Sequence, residues 1–462
     1  MTTLLVRNAS ILVTMDDQRS EIKDGGLFIR DGIIQQVGKT DQVNQTADEI
    51  LDLSGYIVLP GFINTHHHFY QTLTRVVPNA QNGNLFTWLK TLYPIWANLT
   101  PDDIKISTKT ALSELAISGC TTASDHLYLY PNGSRLDDEI EAAIEVGLRL
   151  HATRGSMSLG ESKGGLPPDS VVEDENFILK DSQRIIEQYH NPNRGSKLQI
   201  ALAPCSPFSV TSDLMRQSAK LARQYQVHLH THLAETKDEE QFCIEKFGYR
   251  PVDYMKVVDW IGDDVWFAHS VHVTDEEIDV YRQNGCGVAH CPTSNMRLAS
   301  GIAPIMKMLE KNVKIGIGVD GSASNDGSNL LEEVRQAMLV ARLKAGLDGA
   351  SLSASDAPPL MTARQALELA TRGGAAVLGR EDIGSLEVGK CADFIAIKLD
   401  HLEYSGALVD AVAAVVFCAP VRVEYNYVGG VAVVKDGHLV SLDEKLLVEK
   451  HNQAARRLLA NL

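Results

Sequence analysis

The stretch "YIVLPGFINTHHHFYQTLTR", residues 56–75, decides how the rest of the chain is read. An apolar run of strand-like composition ends there in three consecutive histidines. Side chains on an extended chain alternate between faces, so His66 and His68 share one face while His67 looks the other way. Two imidazoles side by side at a strand end are candidate metal ligands, and His67 stands apart.

Seven further runs share this texture: "GCTTASDH", "LRLHATRGS", "LQIALAPCS", "VHLHTHLAE", "VWFAHSVH", "GCGVAHCPTS" and "VKIGIGVDGS". Amphipathic segments lie between them, such as "SDLMRQSAKLARQYQ" and "NLLEEVRQAMLVARLK", with apolar positions three and four apart. Strand-like and helical patterns in alternation predict an α/β fold with a parallel sheet. A count of eight strands favours a closed (β/α)8 TIM barrel over residues 59–380; an open doubly wound sheet is the alternative.

Both chain ends read differently. Residues 1–58 hold short strands, with Asp31 and Gly32 between two apolar runs as a tight hairpin requires. Residues 381–462 hold the strand-like runs "CADFIAIKL", "AVAAVVFCA" and "VRVEYNYVGGVAVVKDGHLV", then a helical tail from Leu442. The two β-rich ends are expected to combine into one small β-sandwich-like domain.

Composition limits the partners. Hydrophobic residues make up 44% and charged residues 22%, as in an ordinary globular protein. The net charge of −16 would repel nucleic acid and anionic membrane surfaces, so a small molecule is the expected partner. Seven scattered cysteines without a C-x-x-C pair argue against a disulfide framework or a thiolate zinc site, and for a reducing cytoplasm. No run reaches the ~20 apolar residues of a membrane helix. A homo-oligomer is left open.

On this strand list, polar residues gather at the C-terminal ends: His66 and His68 on the first strand, His126 on the second, His232 on the fifth, His269 on the sixth and Asp320 on the eighth. That end is the catalytic face of a barrel. A lone histidine is more often an ordinary core or surface residue, but several at strand ends point to one site. "VHLHTHLAET" puts His228, His230 and His232 on one face, and on spacing alone His230 competes with His232 as a ligand. Glu235 follows three residues later, where a carboxylate can collect and return a proton, although the acid-rich "AETKDEEQ" also reads as a helix start. "GSLEVGKC" ends in Cys391 where a phosphate-binding loop needs a hydroxyl, and "APCSPF" has Phe208 where a cytidine-type deaminase needs its second cysteine.

These residues resemble the amidohydrolase superfamily, in particular its aminohydrolase group of guanine, thiomethyladenosine and chlorotriazine hydrolases. The likeness rests on "PGFINTHHHFYQTLTR", "HLAET", "AHSVH" and "GVDGSASND", and extends to "GSLEVGKCADFIAI" near the end. It implies one divalent metal ion, zinc or iron, held by His66, His68, His232 and Asp320 around an activated water. It also implies catalytic roles for Glu235, as proton shuttle, and for His269 and Asp320, which orient the water.

Substrate is read from departures. Relatives of the thiomethyladenosine type carry an acid two residues before the loop tryptophan and a histidine before the Ser-Pro; here Phe86 and Cys205 stand in "NLFTWL" and "APCSPF". A ribose-bearing substrate is therefore disfavoured, and a flat free base expected, with Gln71, Trp88, Arg154, Cys205 and Phe208 as contacts. "HATRGSMSLGESKGGLPPD" is most similar to 8-oxoguanine deaminases, which implies conversion of that base to urate and ammonia. Another N-heterocycle (guanine, a pterin, an s-triazine) and a non-catalytic scaffold are the alternatives.

Overall fold

The computed structural model describes residues 2–349 and 359–460. Among these, eight parallel strands close into a barrel: β1 (Phe62–Asn64), β2 (Cys120–Leu127), β3 (Arg149–Ser156), β4 (Leu198–Pro204), β5 (His228–Leu233), β6 (Val265–His269), β7 (Gly287–His290) and β8 (Lys314–Ile317). The strands are short and buried on both faces, and in Cys120–Leu127 and Arg149–Ser156 even the polar residues are buried. Closure depends on the seam between β8 and β1, where Ile317 pairs with Asn64. Beyond that pair the Asn64 side chain accepts from Val319 N (2.9 Å) and Asp320 N donates to the His66 carbonyl (3.1 Å). The seam thereby brings His66 and Asp320, 254 positions apart in the numbering, face to face.

Strands from both chain ends form a second domain, one sheet that among the described residues has nine strands. Tyr56–Pro60 is its join, running parallel to Thr3–Val13 and antiparallel to Phe394–Lys398. The hairpin expected at Asp31 and Gly32 is present: both have positive φ (49° and 77°), and Arg30 pairs with Ile33, as a type I′ turn requires. Arg149 of β3 ties sheet to barrel through a buried fork onto Asp393 (2.6 and 2.9 Å), which also accepts from Gly429 N.

Two runs differ from their sequence reading. "VLPGFINTH" is two strands broken at Gly61, where a Cβ would lie 2.1 Å from Thr121 Cγ2; the break hands the chain from sheet to barrel. "AVAAVVFCA" is a helix, Ala411–Phe417, because Asp410 caps it by accepting from Ala413 N (3.0 Å). The C-terminal helix Glu444–Leu458 reaches the barrel mouth, with His451 Nε2 3.0 Å from Thr72 Oγ1. Among the described residues no helix is long and apolar enough to cross a membrane.

Candidate active site

The site sits at the C-terminal ends of β1, β5, β6 and β8. His66 and His68 lie just beyond the last paired residue of β1, yet keep the alternation of an extended chain. Each candidate ligand has its Nδ1 tied to an acceptor. His68 Nδ1 is 2.7 Å from the His126 carbonyl, and His232 Nδ1 is 2.6 Å from the Cys205 carbonyl. A carbonyl only accepts, so these Nδ1 atoms carry the hydrogen and the Nε2 atoms carry lone pairs. The same logic runs through two rings for His66. His230 Nδ1 donates to the Trp266 carbonyl (3.0 Å), which leaves His230 Nε2 to accept from His66 Nδ1 (2.8 Å).

The three Nε2 lone pairs converge. His68 and His232 Nε2 are 3.1 Å apart, and His66 and His68 Nε2 are each 3.3 Å from Asp320 Oδ1. Burial lowers all three imidazole pKa values, His232 to about 3, so the rings are neutral. Facing lone pairs with no proton between them repel, and a cation resolves the conflict. Three imidazole nitrogens and one carboxylate oxygen form a donor set that fits a divalent ion such as zinc.

Beside this set stands an acid–base pair. His269 Nε2 is 3.6 Å from Glu235 Oε2 and 3.9 Å from Asp320 Oδ2, while its Nδ1 bonds Asn295 Oδ1 (2.9 Å). Burial and the nearby Asp320 and Glu239 charges push Glu235 up to about 7, against the pull of His269. Burial opposes the charge on His269, but Glu235 and Asp320 raise its pKa. Glu235 precedes the cap, Thr236, of helix Lys237–Phe247 and is not one of its exposed acids. Glu239 fixes the turn by accepting from Ala234 N (2.9 Å) and Glu235 N (2.8 Å). Ala234, His269 and Asp320 all have positive φ (53°, 72° and 62°), costing about 1–3 kcal/mol each, a strain that gathers where side chains must be aimed.

A pocket opens over these groups, and Gln71, Trp88, Cys205 and Phe208 line it. Trp88 is fixed by its indole N–H donating to the Ala323 carbonyl (3.0 Å). The Gln71 amide packs on Gly321, where a Cβ would lie 1.9 Å from Gln71 Oε1 and push the amide aside. Arg154 is a correction. Its guanidinium is buried, is absent from the pocket lining, and spends four of its five N–H donors on Asp181, Glu173 and the Gly155 carbonyl, so it faces these groups and not the substrate space.

The remaining histidines also find places. His67 accepts from His68 N (2.7 Å) and bonds Ser328 Oγ (2.9 Å), stapling the β1 loop to the β8 loop. His230 uses both nitrogens on His66 and Trp266, so it supports a ligand and is not one. His126 lies in the cluster, its ring stacked 4.9 Å from that of His232 and its Nε2 on the Ala203 carbonyl. Sequence reasoning missed Tyr93, Tyr128, Leu298 and Ser324 in the pocket wall and Asn295 behind His269. For Tyr93 a signal existed: Leu85, Leu89 and Tyr93 repeat at four-residue spacing on helix Leu85–Trp96.

Barrel, convergent ligands and adjacent acid–base pair define a hydrolase that works with a bound metal ion. The chain belongs to the amidohydrolase family, whose model matches residues 57–433. It is 49% identical over 439 residues to an 8-oxoguanine deaminase of Pseudomonas aeruginosa, covering 94% of this chain and 95% of that one. It is 34% identical over 475 residues to a hydroxydechloroatrazine ethylaminohydrolase of a Pseudomonas species, covering 99% and 96%. The solved structure of an atrazine chlorohydrolase from Arthrobacter aurescens, complexed with zinc, matches at TM-score 0.91 and 32% identity over 98% of this chain and 100% of that one. The chain is thus an amidohydrolase of the deaminase group, acting on a carbon–nitrogen bond in a cyclic amidine.

Proposed function

We propose that the protein is a cytoplasmic hydrolytic deaminase of a free oxopurine, converting 8-oxoguanine to urate and ammonia with one divalent ion, zinc first and iron second. The observation that carries this reading is Glu235, buried, poised at about 7, and set beside His269 at the edge of the His66, His68, His232 and Asp320 set. A divalent ion held by His66, His68, His232 and Asp320 would supply a Lewis acid that makes an attacking water more acidic. Asp320 and His269 orient that water toward the amine-bearing carbon of the ring. As the carbon–oxygen bond forms, Glu235 takes a proton from the water and hands it to the adjacent ring nitrogen. The remaining hydroxyl proton passes to the amine, the carbon–nitrogen bond breaks, ammonia leaves and the carbon becomes a carbonyl.

The pocket walls support a flat, ribose-free ring. Trp88 and Phe208 offer apolar faces, Gln71 an edge contact, and Phe86, packed on Phe208 at 5.2 Å, leaves no carboxylate for ribose hydroxyls. The likeness to a bacterial 8-oxoguanine deaminase supports the choice of base. Seven cysteines without a disulfide are in keeping with the compartment. The test is ammonia release by metal-loaded protein from a panel of purines, pterins and triazines. The expected result is turnover of 8-oxoguanine with urate as product; activity confined to adenosine derivatives overturns it.

A further inference from the structure

Helix Leu85–Trp96 turns three polar aromatic side chains inward, and two of them are satisfied. Trp88 donates to the Ala323 carbonyl (3.0 Å) and Trp96 to Thr74 Oγ1 (3.1 Å). Tyr93 differs. It is 1% exposed and lines the pocket, yet its hydroxyl has no hydrogen-bond partner among the described residues. A buried hydroxyl without a partner is disfavoured, and of the three tyrosines in that state among the described residues, Tyr93, Tyr404 and Tyr427, Tyr93 is the one that lines this pocket, where a ligand can complete the bond.

The surroundings say what kind of ligand. Burial first, then Cys205 and Tyr70, push the Tyr93 pKa up, so the phenol keeps its proton and can donate. Tyr70 and Tyr128 stand beside it with rings 5.8 Å apart, and Gln71 Nε2 reaches Tyr70 at 3.5 Å. Tyr128 follows β2, which in the barrel order lies across from β6 and His269. Tyr93, close enough to Tyr128 to act on it electrostatically, thus lines the pocket with Tyr128 on the side of the barrel across from His269.

We propose that Tyr93 is a specificity-determining residue whose phenol donates to an oxo group on the ring edge remote from the leaving amine. It would select oxo-substituted bases over those that carry hydrogen or alkyl there. This rests on the deaminase reading above and names the substrate feature that the same site would read. A donor left without an acceptor is how a buried site rejects an analogue lacking one polar group.

The test compares wild type and Tyr93→Phe on 8-oxoguanine and on guanine, which lacks the remote oxo group, with melting temperature followed alongside. The ratio of kcat/KM for 8-oxoguanine over guanine should fall by about 10–100-fold in Tyr93→Phe, as loss of one buried hydrogen bond implies. An unchanged ratio overturns the proposal, whether or not both rates drop. If wild type releases ammonia from neither base, the deaminase reading falls, and calorimetric binding to Glu235→Gln and Glu235→Gln/Tyr93→Phe still tests Tyr93. A preference for 8-oxoguanine that disappears with Tyr93→Phe upholds its role; equal affinities in both variants, or no binding, overturns it.

Discussion

The mouth of the barrel and its deeper interior use the same residue types to different ends. At the mouth, His66, His68 and His232 turn lone pairs toward one another and toward Asp320. Deeper, His151 and His228 pack with ring centroids 5.8 Å apart against Trp266, and neither has a carboxylate within salt-bridge distance among the described residues. Strand β5 spans both regions, with His228 below, His230 between and His232 at the mouth. An imidazole becomes a candidate ligand where an acceptor ties its Nδ1 and other donors meet its Nε2. Residue type and period two do not suffice.

Substitutions along this axis sharpen the contrast. The largest effect is expected at the mouth: Glu235→Gln should cut ammonia release by about 10²–10⁴-fold, the usual worth of a general acid–base group. Metal content, measured by mass spectrometry, should stay at the wild-type level, and an unaffected rate would remove Glu235 from the mechanism. One layer down, His230→Gln loosens the ring that holds His66, and should weaken metal affinity by about 10–100-fold in a competition titration with a chelator. No change there would mean that the His66–His230 bond orients nothing.

The smallest effect is expected in the interior. Both His151 nitrogens are buried without a partner among the described residues, so His151→Leu should be neutral or stabilising by about 1 kcal/mol and leave metal content alone. Burial lowers the His151 pKa, so the folded state resists its protonation and loses stability as pH falls below the ordinary imidazole range. His151→Leu should therefore also flatten the acid side of a denaturation-midpoint profile. Loss of metal in this variant would break the division between mouth and interior.

Much of this division was legible in the sequence. Eight apolar runs with helical spacers gave the barrel, and histidines at run ends gave the cluster, because strand ends in a barrel share one face. His230 competed with His232 because alternation assigns a side and no depth; one step of two residues, about 6.6 Å along a strand, separates the supporting ring from the mouth. Arg154 was misplaced although parity held the answer: it alternates with His151 and Thr153 on β3, so it faces outward to the acids Glu173 and Asp181. "AVAAVVFCA" could not be resolved, since a short apolar run has no decisive period and its capping residue, Asp410, lies one position outside it. Tyr93 shares a four-residue spacing with Leu85 and Leu89, which marks an inward helix face but not the cavity that the face lines, and Asn295 sits on a short helix whose packing behind His269 has no local signature.

Metal counting on paired variants tests the central claim most directly. Wild type, His228→Ala and His232→Ala would each be dialysed with zinc, freed of excess and measured for bound metal per chain. Wild type and His228→Ala should each hold one ion and His232→Ala should hold none. Equal metal in all three proteins, or none in wild type, would contradict the account.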